Sequence, residues 1–107
     1  MVYQAKGVTV VQLNKGDTLK FQGAMQVRVL HGQVSVLGAL LGEGQWLSVT
    51  SDPRKNMLLD IKNCSKTDEA KVLSKRFDDV ELELEGIPKK ASLIAITELR
   101  AYTDAEE

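Results

Sequence analysis

One cysteine, one histidine and one tryptophan are all that this 107-residue chain holds of three residue types that carry much of protein chemistry. The lone cysteine, Cys64, can form no internal disulfide, and this points to a reducing compartment. Structural zinc takes about four Cys or His ligands, more than His31 and Cys64 together supply. Aromatic residues amount to only 5% and are widely spread, so Trp46 reads as a core or edge anchor rather than part of a base-stacking platform. Neither sign of charge dominates: 14 Lys and Arg stand against 15 Asp and Glu. A bulk electrostatic drive towards nucleic acid or an anionic membrane is therefore missing, which leaves only local patches. No apolar run approaches the roughly 20 residues of a membrane span. The N-terminus lacks the basic, apolar, small-residue order of a signal peptide. The expectation is one soluble intracellular domain, residues 1–107, with room for one core.

What is present is strand. Apolar residues make up 43% and charged residues 27%, an ordinary globular composition. Val8 to Leu13 is rich in β-branched residues and ends at the turn cluster Asn14-Lys15-Gly16-Asp17. Leu19 to Phe21 is a second short strand closed by Gly23. Val27 and Val29, then Val34 and Val36, alternate with polar residues at the period of a half-buried sheet. His31-Gly32 between them predicts a two-residue hairpin. Beyond the Gly42-Glu43-Gly44 break come Trp46 to Thr50, a turn at Asp52-Pro53, and Met57 to Ile61. From Ser65 to Arg76 the apolar positions Ala70, Leu73 and Phe77 share one helical face, and Ser65 with Asp68 resembles a capping box, so a short helix is expected there. Val80 to Leu84 alternates with glutamates, and Ala91 to Ile96 is apolar enough for a strand buried on both faces. Strands at about ten-residue spacing, separated by turns, predict an antiparallel β-sandwich, jelly-roll-like, with one inserted helix.

Chemistry is hard to find. His31 reads as a turn residue, and Cys64 as a buried or incidental thiol ahead of the expected helix. The glycines at 42 and 44 do not belong to a phosphate loop, because G-x-x-x-x-G-K-[ST] is absent. Glu81, Glu83 and Glu85 would project from one face of a strand, usually its solvated side, and the calcium-loop spacing is lacking. Two basic pairs at expected turns, Arg54-Lys55 and Lys89-Lys90, form the one candidate interaction patch; the plainer reading is solubilising turn charge. No catalytic, cofactor-binding or metal-binding residue is assigned.

One resemblance covers nearly the whole chain, about residues 7 to 103. Gly16-Asp17-Thr18-Leu19-Lys20-Phe21-Gln22-Gly23 followed by Val29-Leu30-His31-Gly32-Gln33-Val34-Ser35-Val36-Leu37-Gly38 resembles the N-terminal domain of the nucleolar polynucleotide 5′-hydroxyl-kinases. A looser version occurs in the related RNA kinase of mRNA 3′-end and tRNA processing. Leu47-Ser48-Val49, Met57 to Ile61, Ala91 to Ile96 and the pair Leu99-Arg100 follow in the family's order.

The resemblance implies a sandwich domain ahead of a P-loop kinase core that this chain does not contain. ATP and Mg²⁺ would be held by that core, so no cofactor is expected here. The intact protein would phosphorylate 5′-hydroxyl RNA ends during processing of the second internal transcribed spacer of pre-rRNA, in the nucleus and nucleolus. Its partners would be the processing endoribonuclease and the protein's own kinase core, with RNA contact through the whole protein, and the domain itself monomeric. Two other readings stand beside it. A nucleoplasmin-like histone-chaperone core, a pentameric ring, is suggested by the β content and by the acidic Asp104-Ala105-Glu106-Glu107 end. A cupin-like barrel without metal is suggested by the glycine turns.

Overall fold

The computed structural model describes residues 2–5, 8–51, 58–77 and 80–98, and these form strands and turns only. In chain order the strands are β1 (Val2–Ala5), β2 (Val8–Leu13), β3 (Thr18–Phe21), β4 (Gly23–His31), β5 (Val34–Val36) and β6 (Ala39–Leu41). They continue as β7 (Trp46–Ser51), β8 (Leu59–Asn63), β9 (Leu73–Phe77), β10 (Val80–Leu84) and β11 (Ser92–Glu98). One sheet has the order β1-β2-β11-β4-β7 and the other β3-β8-β5-β6, with every pairing antiparallel. Without β1 this is the two-times-four strand arrangement of a jelly roll, as the turn spacing predicts. The hairpin β9–β10 is inserted between β8 and β11.

The alternating residues meet where period two puts them. Val11, Leu13, Met25, Val27, Val29, Val49 and Ile94 of the five-stranded sheet pack against Phe21, Val34, Val36, Leu41, Leu59 and Ile61 of the other. A second cluster lies on the opposite face of the larger sheet, where Val10, Leu30, Leu93 and Ala95 are covered by Leu82, Ile87 and Ala91. β11 therefore has apolar neighbours on both faces, Ile94 on one and Leu93 and Ala95 on the other. That is why its sequence reads as a continuous apolar run.

Two expectations are corrected. His31-Gly32 is not a hairpin turn: β4 and β5 lie in different sheets. Gly32, at φ +85°, carries the chain across the sandwich, so the four valines face one another across the core. The two-residue hairpin is one step later, at Leu37-Gly38 between β5 and β6, with φ of +51° and +79°. Both values being positive marks a type I′ turn, which normally carries Asn-Gly. Nor is there a helix between Ser65 and Arg76. Ala70 bridges to Ile87, and Leu73–Phe77 pairs with Val80–Leu84, Leu73 opposite Leu84 and Phe77 opposite Val80. Residues four apart share a face in a strand as well as in a helix, so the Leu73/Phe77 spacing did not discriminate between them. The capping pattern is a different local motif: the Thr67 N–H donates to Ser65 Oγ at 3.3 Å, two residues on rather than three.

Two substitutions test this packing by urea unfolding. Ile94→Ala, at a fully buried site, should lower stability by about 3 kcal/mol. Leu37→Asn should raise it by about 1 kcal/mol, because a left-handed backbone disfavours leucine and the side chain is 61% exposed, so little packing is lost.

Candidate functional site

Polar side chains in this domain converge at one end of the sandwich, where β2, β8, β11 and the β4–β5 crossover come together. Asn63, the last residue of β8, directs Nδ2 at three carbonyl oxygens: Leu13 at 3.1 Å, Asn14 at 2.8 Å and Lys90 at 2.7 Å. Its Oδ1 accepts from the Ser65 N–H at 3.0 Å and from Ser92 Oγ at 2.6 Å. Ser92, wholly buried, in turn accepts the Gln33 N–H at 3.1 Å. The Gln33 carbonyl takes the Cys64 N–H at 2.9 Å and lies 2.8 Å from Ser92 Oγ. No buried side-chain nitrogen or oxygen among the described residues lacks a partner. The network is closed.

Gly32 sits against this cluster. A Cβ there would stand 2.5 Å from Ser92 Oγ, 2.9 Å from Ser65 Oγ and 3.0 Å from the Ala91 carbonyl. Both the left-handed backbone and the lack of space require glycine.

Outward from the network an open cleft of about 390 Å³ is lined by Gly32, Gln33, Gly42, Glu43, Lys66 and Thr67. Beside it His31 places Nε2 3.4 Å from Thr67 Oγ1 and Nδ1 3.9 Å from Glu43 Oε1. The order hydroxyl, imidazole, carboxylate is that of a nucleophile and its base, but the geometry is not. The 3.9 Å separation exceeds a hydrogen bond, and the Thr67 hydroxyl is already 2.9 Å from Ser65 Oγ. The cleft can offer hydrogen bonds and one ammonium, Lys66, to a ligand. Among the described residues no three His, Cys, Asp or Glu side chains stand together as a metal site would need.

Of the candidate basic patch, Lys89 and Lys90 occupy the turn predicted for them, closed by the Ala91 N–H donating to the Pro88 carbonyl at 3.2 Å. Lys89 is exposed, and Lys90 is half-buried at φ +61° with both backbone groups engaged, its N–H by the Thr67 carbonyl and its carbonyl by Asn63. Arg54 and Lys55 lie outside the described residues. Cys64 is half-buried with its Sγ 3.7 Å from the Lys62 carbonyl, and no helix follows to act on it. Glu81, Glu83 and Glu85 are exposed, as the alternation implied.

Sequence reasoning passed over Gln33, Asn63, Thr67 and Ser92. They are spread over 60 residues, and each is an ordinary polar residue within or beside a strand. The only signal for Ser92 was that it interrupts an apolar run. Large apolar side chains are also left exposed, namely Leu37, Leu40, Trp46, Leu58 and Val72. Leu37 and Leu58 share a shallow depression of about 410 Å³ with Ser35, Asp60 and Lys62.

Gly32→Ala should cost roughly 2 kcal/mol or more, since neither the backbone nor the buried hydroxyls can yield freely. Asn63→Ala should cost a similar amount, because it strips partners from buried groups rather than exchanging them for water. Urea unfolding of each variant checks both.

Comparison with known proteins then identifies the domain. The profile of one family, Cupin_NOL9, described as polynucleotide 5′-hydroxyl-kinase NOL9, N-terminal domain, matches residues 2–105. No curated protein and no solved structure matches the chain significantly. With the match running almost from end to end of a jelly-roll sandwich, the chain belongs to the family of the N-terminal domain of polynucleotide 5′-hydroxyl-kinase NOL9.

Proposed function

We propose that this domain is the non-catalytic docking and scaffold element of an ATP-dependent polynucleotide 5′-hydroxyl-kinase that acts in pre-rRNA internal transcribed spacer processing. The observation that carries the reading is membership of the kinase's N-terminal domain family over residues 2–105. The exposed apolar residues support the docking part. Trp46, Leu40 and Leu58 each leave more than half of their surface in water. They stand on both sheets, Trp46 on the larger and Leu40 on the smaller with Leu58 just before β8, and exposed aromatic and apolar side chains of this kind are common anchors at protein contacts.

In this reading ATP and Mg²⁺ bind the kinase core, and the 5′-hydroxyl RNA end reacts there. The domain's own partners are that core and the processing endoribonuclease, in the nucleolus. Lys89 and Lys90, with Arg54 and Lys55, would add a basic contact. Lys66 in the cleft is a further cation on the same end as Lys90, since the Lys90 N–H reaches the Thr67 carbonyl.

Two measurements test the proposal. In light scattering the chain should show the 11.8 kDa mass of a monomer across a concentration series. A fivefold mass would instead favour a histone-chaperone ring. In a pull-down, the tagged domain should retain the kinase core or the endoribonuclease, and it should transfer no phosphate to 5′-hydroxyl RNA by itself. Retention of neither partner would overturn the docking role.

A further inference from the structure

We propose that the outer edge of β7 is a strand-addition site, which takes an extended segment of a protein partner as a further strand of the larger sheet. The inference rests on the docking reading and assigns it a surface and a binding mode.

The direction of the β7 backbone groups is set by a bulge at its start. Gly44 (φ +81°) donates its N–H to the Val29 carbonyl at 2.9 Å, and the Val29 N–H donates to the Gln45 carbonyl at 3.0 Å. Two residues thus oppose one, with glycine first, as in a G1 bulge. From that bonded pair the ladder alternates through Val27 with Leu47, Met25 with Val49 and Gly23 with Ser51. Leu47, Val49 and Ser51 therefore turn their backbone groups to β4. Trp46, Ser48 and Thr50 turn theirs away from it, and β7 is the last strand of its sheet. Three N–H and three C=O groups point outward from a six-residue strand.

Edges of this kind are normally blunted by lysine, proline, shortness or a bulge within the strand. Trp46-Leu47-Ser48-Val49-Thr50-Ser51 contains no charge and no proline. The other sheet's edges are better guarded: β6 has three residues, and β3 has four with Lys20 exposed. The bulge precedes β7 and leaves its whole length straight for pairing.

The occupant follows from this chemistry. Alternating donors and acceptors in one line fit an extended polypeptide and not a helix, sugar or nucleic acid. Trp46, 54% exposed, stands at the end of the cross-strand row Ala95, Arg28, Trp46. A residue added opposite Trp46 extends that row, and an aromatic or branched apolar side chain pairs best there. A second copy of the domain fits less well. Two six-residue edges meeting about a twofold axis fall short of the roughly 1,000 Å² that a stable interface between rigid domains needs. A flexible segment can also close over the indole.

The test is amide exchange by NMR on the 107-residue chain, with and without a probe. The probe is a capped nine-residue peptide of alternating threonine and valine with a central phenylalanine, at millimolar concentration. In the free chain the Trp46, Ser48 and Thr50 amides should exchange about 100-fold faster than those of Leu47 and Val49. The peptide should slow those three amides about 10-fold and leave the β6 and β3 edges unchanged. Ser48→Pro and Thr50→Pro each delete one outward N–H and no ladder bond, so at least one should keep the fold while losing the peptide effect. Slow exchange at the three positions in the free monomer would overturn the proposal. So would protection that follows protein concentration, which means a second copy, or no response to the peptide. Pull-down separates the two readings. Partner capture that survives in a folded proline variant leaves the docking role standing and removes the β7 edge from it. No capture by the unsubstituted chain sinks the docking role, while the exchange data still decide the edge.

Discussion

The Asn63 side chain is the tie on which one end of the sandwich depends. Through one amide it joins the exit of β2, the exit of β8 and the entry of β11, and through Ser92 it also holds the β4–β5 crossover. These segments come from both sheets. Apolar packing between sheets is non-directional and would tolerate a slide. Hydrogen bonds of 2.6 to 3.1 Å from one side chain to three chain segments do not. Low local dielectric strengthens such a network when complete and makes it costly when any member is lost. The register of β11 between β2 and β4 is fixed here, and with it the division of β11 side chains between the two cores.

That division explains how a chain of this length carries two apolar clusters. The larger sheet uses both its faces, one against the smaller sheet and the other against the inserted segment that holds Leu82 and Ile87. The insertion is therefore a cover. Without it Val10, Leu30, Leu93 and Ala95 would face water. Its own strands need little helix propensity, because pairing β9 with β10 satisfies the backbone while Leu82 seals the sheet.

Local patterns were legible where a single period decided the outcome. Val8–Leu13, Trp46 to Thr50 and Val80–Leu84 read as strands and are strands. The jelly-roll class followed from the even spacing of turns, and the family from glycine and apolar positions in order. What failed was anything decided at long range. His31-Gly32 satisfies hairpin chemistry, yet the chain crosses between sheets there, where Ser92 and Ser65 leave room only for glycine at 32 and Ser92 binds Gln33 after it. Within the helix expected at Ser65–Arg76 the Leu73/Phe77 spacing fits either period, and the contact of Ala70 with Ile87, seventeen residues on, is one that no local pattern announces. The cleft was invisible for the same reason: Gln33, Glu43 and Thr67 have no shared sequence signature and meet only through the crossover.

Rigidity and exposure are arranged at different places in this molecule, and that separation is what a docking element needs. The closed polar network and the glycine crossover fix one end, where the buried side-chain donors and acceptors are spent internally. Large apolar side chains are left in water elsewhere, Leu37 and Leu58 on the outside of the smaller sheet and Trp46 on the larger. Leu37 even holds a left-handed backbone without gaining burial, a cost of about 1 kcal/mol that the free domain does not recover. A contact surface recovers such costs on binding, and one carried on braced strands loses little entropy in doing so. In the proposed docking role, shape and backbone pairing are what the β7 edge would offer a partner.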